Sequence, residues 1–162
     1  MGKPAERELT VLNDTAYLAE VRKAVLEVLG DGPFKPAEAQ LVALAVDEAV
    51  ANVMEHAYEE ELSGAKPIKV LMNVAEDSFT VRIHDHGRPF DPGTVPDVDL
   101  QEHVRHGRKG GLGIFLIRRI MDEVTYSFQA GAPNELRLVK FVDNSQGKAK
   151  STKPRRPAKR SP

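Results

Sequence analysis

The sequence predicts an α+β protein, a two-layer sandwich in which a mixed, mainly antiparallel sheet is covered on one face by three helices. Residues 68–74 and 79–84 alternate apolar and polar side chains around a polar turn, which indicates an antiparallel hairpin with one buried face. Three longer stretches repeat apolar residues at helical spacing. Strands and helices do not alternate as a doubly wound parallel fold requires, so the helices are expected together on one side of the sheet.

Each predicted element begins and ends at recognisable residues. Asn13 or Asp14 caps the first helix, and Pro36 suits the first turn of the second. Gly30–Pro33 and Gly131–Asn134 are rich in turn-forming residues and separate neighbouring elements. The predicted strands are 9–12, 68–74, 79–84, 124–128 and 135–142, and the predicted helices are about 13–29, 36–58 and 112–121.

One long stretch has no predicted element. Residues 88–110 are rich in Pro, Gly, Asp and Arg and show no sustained periodicity. Loops of this length inside a compact domain are usually functional, and many of them are lids that close over a site. We therefore expect a lid between the hairpin and the last helix.

Composition limits the class of protein. A chain of 162 residues with 41% hydrophobic and 29% charged residues is typical of one globular domain with a real core. The absence of Cys excludes disulfides and thiolate chemistry. Residues 1–10 are polar and do not resemble a signal peptide, and no apolar run is long enough to span a bilayer. The expected location is the cytoplasm, with no membrane contact.

The net charge of −1 hides an uneven distribution. No acidic residue follows Asp143, whereas seven Lys and Arg residues do, so the rest of the chain carries 16 basic against 24 acidic residues. Residues 144–162 also contain prolines and no large apolar side chain, which predicts a disordered basic tail after a domain at 1–143. No aromatic residues interleave with these charges, so a solvated tail is favoured over a contact with nucleic acid.

The second helix carries a polar stripe. Glu48, Asn52 and His56 follow one another at i, i+4 spacing and border the apolar face that should pack on the sheet. A carboxylate here can accept a hydroxyl proton, and an amide can give an uncharged oxygen to Mg²⁺. A solvated face of an acidic helix explains the same pattern, so both interpretations stay open for this helix alone.

A second polar segment follows the hairpin. Asp85 comes directly after a strand, where its carboxylate can accept a hydrogen bond from an adenine amino group. Gly87 leaves room for a base against the backbone, and Phe90 can form a wall of the pocket. Asp, Gly and Pro are also common in ordinary polar turns, which is the alternative.

A run of glycines opens the last helix. Gly111, Leu112 and Gly113 lie where free backbone N–H groups and the helix dipole can hold an anion, and Arg108 and Lys109 can neutralise phosphate charge. The run matches neither a dinucleotide-binding fingerprint nor a P-loop. A simple glycine hinge before a helix is the alternative.

Together and in this order, the three segments resemble the GHKL (Bergerat) ATP-binding superfamily, and within it the bacterial anti-sigma-factor serine/threonine kinases. Residues 44–58 are similar to the N box of that family, residues 85–92 to its first glycine box, and residues 110–124 to its second. The resemblance covers about residues 8–142 and leaves out the tail. It implies the Bergerat fold, with ATP and Mg²⁺ as cofactors.

The resemblance also implies roles for single residues. Glu48 is then the general base for a protein Ser or Thr hydroxyl, and Asn52 holds Mg²⁺ against the ATP phosphates. The implied nucleotide contacts are Asp85, Gly87, Gly111 and Gly113, and the segments themselves add Phe90, Arg108, Lys109 and Leu112 as candidate contacts.

The implied partners are proteins. The resemblance predicts a STAS-domain anti-anti-sigma factor as substrate, a sigma factor held inactive by binding, and a homodimer. No helical hairpin with a phosphoacceptor His precedes the segments, which argues against a histidine kinase. The alternative function is a catalytically weak, nucleotide-gated module that binds a regulatory partner.

Overall fold

The computed structural model describes residues 5–58, 66–106 and 112–144, and within them a sheet is covered by helices on one face. The strands are β1 (Ala5–Leu12), β2 (Pro67–Val74), β3 (Ser78–Asp85), β4 (Glu123–Ser127) and β5 (Asn134–Phe141). The helices are α1 (Leu18–Gly30), α2 (Pro36–Ala57), α3 (Leu100–Arg105) and α4 (Leu112–Ile120), with 3₁₀ turns at Thr15–Tyr17 and Pro92–Thr94.

The strand order is β1-β2-β3-β5-β4, and every neighbouring pair is antiparallel. The predicted α+β class is confirmed. In one detail the sheet differs from the expectation of a mixed sheet, because no parallel pair occurs among the described strands. The hairpins β2–β3 and β4–β5 account for two of the pairs, and β5 then lies beside β3 in the opposite direction.

Helix α2 is the central helix of the covering layer. It packs against α1 on one side and α4 on the other, and it also contacts β3. Its Val42, Val46, Ala49 and Val50 are fully buried. Burying each of the valines contributes about 1.5–3 kcal/mol, so the rotation of this helix about its axis is well determined. That rotation fixes where its polar stripe lies.

The structure differs from the sequence prediction at two elements. β1 begins at Ala5 rather than at residue 9, because all eight of its residues pair with β2 while its glutamates face away from the helices. The predicted loop 88–110 contains a helix, α3, which Asp99 caps by accepting from two backbone N–H groups.

Several predicted features lie outside the described residues. Arg108, Lys109 and Gly111 of the glycine run belong to this group, as does all but the first residue of the predicted tail at 144–162. Of the helices in the described part of the chain, none has the length and apolar character that crossing a bilayer requires.

Candidate functional site

Glu48 and Asn52 lie one turn apart on α2 and face the beginning of α4. A Cβ placed on Gly113 would be 2.6 Å from Glu48 Oε2 and 3.6 Å from Asn52 Oδ1. Ile114 and Ile117 of α4 are buried, which holds this helix against α2. The fold therefore brings the polar stripe of α2 and the glycine that follows Leu112 into direct contact.

Neither polar side chain of this contact is engaged by another of the residues that the structure describes. Glu48 is half-buried, and its carboxylate has no hydrogen-bond partner among the residues that the structure describes. The Nδ2 of Asn52 is buried and has no partner either. An amide that none of the described residues engages can turn its oxygen to a Mg²⁺ ion that keeps water and phosphate oxygens as its other ligands. Within residues 5–58, 66–106 and 112–144, no cluster of three or more His, Asp or Glu could hold a metal.

Asp85 is the last residue of β3 and is buried, with 4% of its surface exposed. Its Oδ1 accepts two hydrogen bonds, from the Gly87 N–H at 2.8 Å and from Asn134 Nδ2 at 2.9 Å. The same Asn134 amide donates to the Gly87 carbonyl at 3.0 Å. One carboxylate oxygen is therefore engaged twice, while Oδ2 accepts nothing from the described residues.

Gly87 packs directly on the end of α2. A Cβ at this position would lie 2.7 Å from the Ala57 Cβ, 2.8 Å from the Ala57 carbonyl carbon, and closer still to its oxygen. The next residue, Arg88, donates its N–H to that oxygen at 2.8 Å. Only glycine allows this approach, so the contact that requires Gly87 in the structure is with α2.

A narrow pocket separates Asp85 from Asn52. Its lining residues are Asn52, Val53, Ala57, Asp85, Arg88, Phe90, Pro92, Tyr126 and Leu136. The free volume is about 10 Å³, roughly the space of one water molecule. Three of the lining residues, Arg88, Phe90 and Pro92, belong to the segment that follows β3. We call residues 88–92 the closing segment.

Several contacts keep the closing segment in place. Its two ends are held by the Arg88 N–H, which donates to the Ala57 carbonyl, and by the Pro92 carbonyl, which accepts from Arg118 Nη2 at 2.6 Å. The Phe90 ring stacks on His56 with a centroid distance of 4.4 Å and an interplanar angle of 23°. Its backbone N–H donates to the Tyr126 hydroxyl at 3.0 Å. Burial raises the pKa of Tyr126, and the carboxylates of Asp85 and Asp91 raise it further, so this hydroxyl is neutral at physiological pH. A base can enter only if residues that line the pocket move apart, and the closing segment supplies three of them.

The side of α2 that faces α1 carries a separate ion pair. Asp47, next to Glu48 in the chain, is 7% exposed and accepts from Arg22 Nε of α1 at 2.7 Å. Its Oδ1 is buried without a partner in the described part of the structure. Burial raises the pKa of Asp47, although the Arg22 guanidinium acts to lower it. This pair joins α1 to α2 and lies away from the pocket.

The sequence assigns no role to two residues of the site, Asn134 and Tyr126. The sequence predicts Asn134 in a turn because it follows Gly, Ala and Pro, yet it begins β5 directly opposite Asp85. Tyr126 was placed on a strand with no role, although the alternation along β4 puts it on the covered face of the sheet. His56 belongs to the predicted polar stripe, but its stacking partner is visible only in three dimensions.

Comparisons with known proteins identify the family of the chain. Residues 11–140 match the family described as histidine kinase-like ATPase domain. Serine-protein kinase RsbW of Staphylococcus aureus strain MRSA252 is 29% identical over 143 residues, which are 86% of this chain and 88% of that protein. The protein of the same name from strain Newman matches over the same shares with the same identity. The chain belongs to the histidine kinase-like ATPase domain family, which confirms the resemblance to the GHKL superfamily.

Proposed function

We propose that this protein is an ATP-dependent protein serine/threonine kinase that acts as an anti-sigma factor. It phosphorylates a STAS-domain anti-anti-sigma factor and holds a sigma factor by binding it. One observation carries the catalytic part of the proposal: Glu48 and Asn52, both without partners among the described residues, lie beside Gly113 at the beginning of α4. This site then combines a general base, a metal-binding amide and the N-terminal end of a helix. Phosphoryl transfer requires these groups close together.

Each residue of this proposed site has a distinct role. Glu48 accepts the proton of the attacking hydroxyl, which calls for an unengaged carboxylate. Asn52 gives its amide oxygen to Mg²⁺. Bound Mg·ATP supplies the phosphoryl group and a cation that neutralises its charge. The N–H groups at the beginning of α4 face the phosphates, and Arg108, Lys109 and Gly111 complete the proposed anion site.

The other end of the pocket selects the base. Asp85 Oδ2 accepts from the adenine amino group, because Oδ1 is already engaged by two donors. Guanine presents a carbonyl oxygen at the corresponding position, which a carboxylate repels. Phe90 becomes a wall of the pocket once the closing segment has moved.

The partners are proposed from similarity. The three motifs occur in the order that is typical of the anti-sigma-factor kinases. The relatives that match most of the chain are named serine-protein kinases. Sigma factors act on RNA polymerase in the cytoplasm, so the proposal places the chain there. A homodimer is the proposed assembly.

One observation favours the alternative of a catalytically weak partner-binding module. The pocket holds about 10 Å³ of free space, far less than a nucleotide site of about 300 Å³ or more. If the closing segment does not move, the chain binds partners without using ATP.

Glu48→Gln tests the proposal, with Glu55→Gln as the matched control. Glu55 lies on the same helix and is exposed, so the control makes the same chemical change away from the pocket. Transfer of radiolabelled phosphate from ATP to a candidate STAS-domain protein is measured together with partner binding. We expect Glu48→Gln to lose about 10²-fold or more of the transfer rate and to keep partner binding.

The outcomes separate the two functions. If Glu48→Gln still phosphorylates the partner at the rate of the control, the role of Glu48 as base is wrong. If the unaltered protein binds the partner and transfers no phosphate, the partner-binding module is correct.

A further inference from the structure

We propose that Arg118 is a positioning residue that holds the end of the closing segment against α4 and thereby sets how fast nucleotide enters and leaves the pocket. Its guanidinium binds the stretch of chain in which the closing segment ends, and α4 is also the helix whose beginning meets Glu48. This inference rests on the proposed function, since it names the residue that controls access to the proposed nucleotide site.

The first step is the set of contacts that the Arg118 side chain makes. Its Nη2 donates to the Pro92 carbonyl at 2.6 Å and to the Val95 carbonyl at 2.8 Å. Its Nη1 donates to Asp97 Oδ1 at 2.9 Å. The planar guanidinium presents its donors in a fixed fork, so one side chain holds acceptors all along residues 92–97.

The second step is which of these contacts carries the hold. The Asp97 side chain is 89% exposed, and ion pairs with exposed partners contribute little to stability. The Arg118 side chain is only 28% exposed, and its bonds to the two carbonyls are partly buried. Hydrogen bonds from a charged donor are stronger than those between neutral groups. The carbonyls of Pro92 and Val95 are therefore the main points of attachment.

The third step is that the attached stretch of chain is held together internally. Asp91 caps the 3₁₀ turn Pro92–Thr94, since its Oδ1 accepts from the Gly93 N–H at 2.7 Å. The Asp91 carbonyl accepts from the Thr94 N–H at 3.1 Å and from its hydroxyl at 2.8 Å. Asp91 and Pro92 are the last two residues of the closing segment, so a hold on this turn is also a hold on the closing segment.

The fourth step is the position of these contacts relative to the pocket. Pro92 lines the pocket, whereas Val95, Asp97 and Arg118 are not among its lining residues. A bound base can therefore occupy the pocket without displacing the side chain of Arg118. Because its contacts exist before and after binding and break only while the closing segment moves, they slow entry and exit alike and leave the affinity nearly unchanged.

Arg118→Met is the main variant, with Arg119→Met as the matched control. Met keeps an unbranched stem and has a helix propensity close to that of Arg, but it offers no donor. Arg119 is the next residue of α4, is exposed, and has no hydrogen bond or ion pair with the residues that the structure describes. Both changes remove one positive charge from the last turn of the helix, so they affect the helix dipole equally.

Two further variants keep the test decisive. Asp97→Asn removes only the exposed ion pair and leaves both carbonyl contacts in place. Arg118→Lys keeps the charge but presents a single nitrogen instead of a fork, and it serves if Arg118→Met does not fold. Folding of each variant is checked by circular dichroism and thermal melting.

The first measurement is hydrogen exchange of the nucleotide-free full chain, followed by mass spectrometry. Peptides from residues 90–97 report the hold on the closing segment, and peptides from β2 and β3 report global stability. We expect amides of residues 90–97 to exchange about tenfold faster in Arg118→Met, and within about threefold of the unaltered protein in Arg119→Met and Asp97→Asn. Exchange in Arg118→Met that equals Arg119→Met overturns the inference, as does an increase in Asp97→Asn that equals Arg118→Met.

The second measurement is stopped-flow binding of Mg·ATP that carries a fluorescent group on its ribose. We expect Arg118→Met to raise the association and dissociation rates about tenfold each and to keep the dissociation constant within about threefold. A change in only one of the two rates, or rates equal to those of Arg119→Met, contradicts the control of access by Arg118. If the unaltered protein binds no nucleotide, the proposed function fails, and hydrogen exchange still decides whether Arg118 holds the closing segment.

Discussion

Replacing Gly113 by alanine should separate nucleotide binding from phosphoryl transfer. The new Cβ would lie 2.6 Å from Glu48 Oε2, whereas ordinary contacts begin at 3.4 Å, so the carboxylate must move by about 0.8 Å. Because Oε2 is the end of a flexible side chain, this shift costs little stability. Alanine also favours a helix over glycine by about 1 kcal/mol, which offsets the cost.

The effect on catalysis should be larger than the effect on stability. Displacing a catalytic group by about 1 Å can reduce a rate about 10²-fold, because proton transfer depends on alignment. We therefore expect Gly113→Ala to lose about 10- to 100-fold in the phosphoryl-transfer rate, with a free energy of unfolding within about 1 kcal/mol of the unaltered protein.

Single-turnover phosphorylation assays and urea denaturation measure the two quantities. Gly30→Ala is the matched control, because a Cβ at Gly30 meets nothing within 4 Å. If Gly113→Ala transfers phosphate at the rate of Gly30→Ala, the contact between Gly113 and Glu48 has no role in catalysis. A large loss of stability would show instead that the beginning of α4 cannot accept a side chain.

Three other changes test separate parts of the structure. Gly87→Ala should lower the free energy of unfolding by about 1–3 kcal/mol in urea denaturation, because the new Cβ would collide with the backbone of Ala57. Unchanged stability would refute this packing of Gly87 against α2. Tyr126→Phe removes one of the hydrogen-bond acceptors that hold the closing segment, so the apparent dissociation constant for Mg·ATP should fall about fivefold in calorimetry. Weaker binding by this variant would contradict the gating role. Asp47→Asn should become more stable relative to the unaltered protein as the pH rises from 4 to 7. Burial raises the pKa of Asp47, although Arg22 acts to lower it. The stability that a carboxyl with a raised pKa contributes is lost as the pH rises through that pKa, whereas the amide of the variant does not titrate. Urea denaturation at both pH values measures the difference, and the opposite trend would show that the ion pair outweighs the burial.

The motifs could be located from the sequence because they combine local patterns. Helical spacing placed Glu48 and Asn52 on one stripe, and the alternation of the hairpin placed Asp85 at the end of its strand. The beginning of α4 at Leu112 followed from the glycine run and the apolar residues after it. These features depend on residues close together in the chain, where periodicity and turn chemistry are informative.

The remaining parts of the site depend on distant residues. The pairing of Asp85 with Asn134 requires the order of the strands and their register, which no local pattern contains. The contact of Gly87 with Ala57 requires the packing of a turn against the end of α2. In the same way, β1 extends to Ala5 because β2 supplies a partner along its whole length, although its polar residues do not suggest a strand.

The central claim is that the pocket between Asp85 and Asn52 binds Mg·ATP. Calorimetric titration of the full chain and of Asp85→Asn with Mg·ATP tests it most directly. The account predicts magnesium-dependent binding by the unaltered protein, weakened about 10- to 100-fold in Asp85→Asn, because the variant replaces the charged acceptor for the adenine amino group by a neutral amide. Equal affinity of the two folded proteins, or no binding by either, would contradict it.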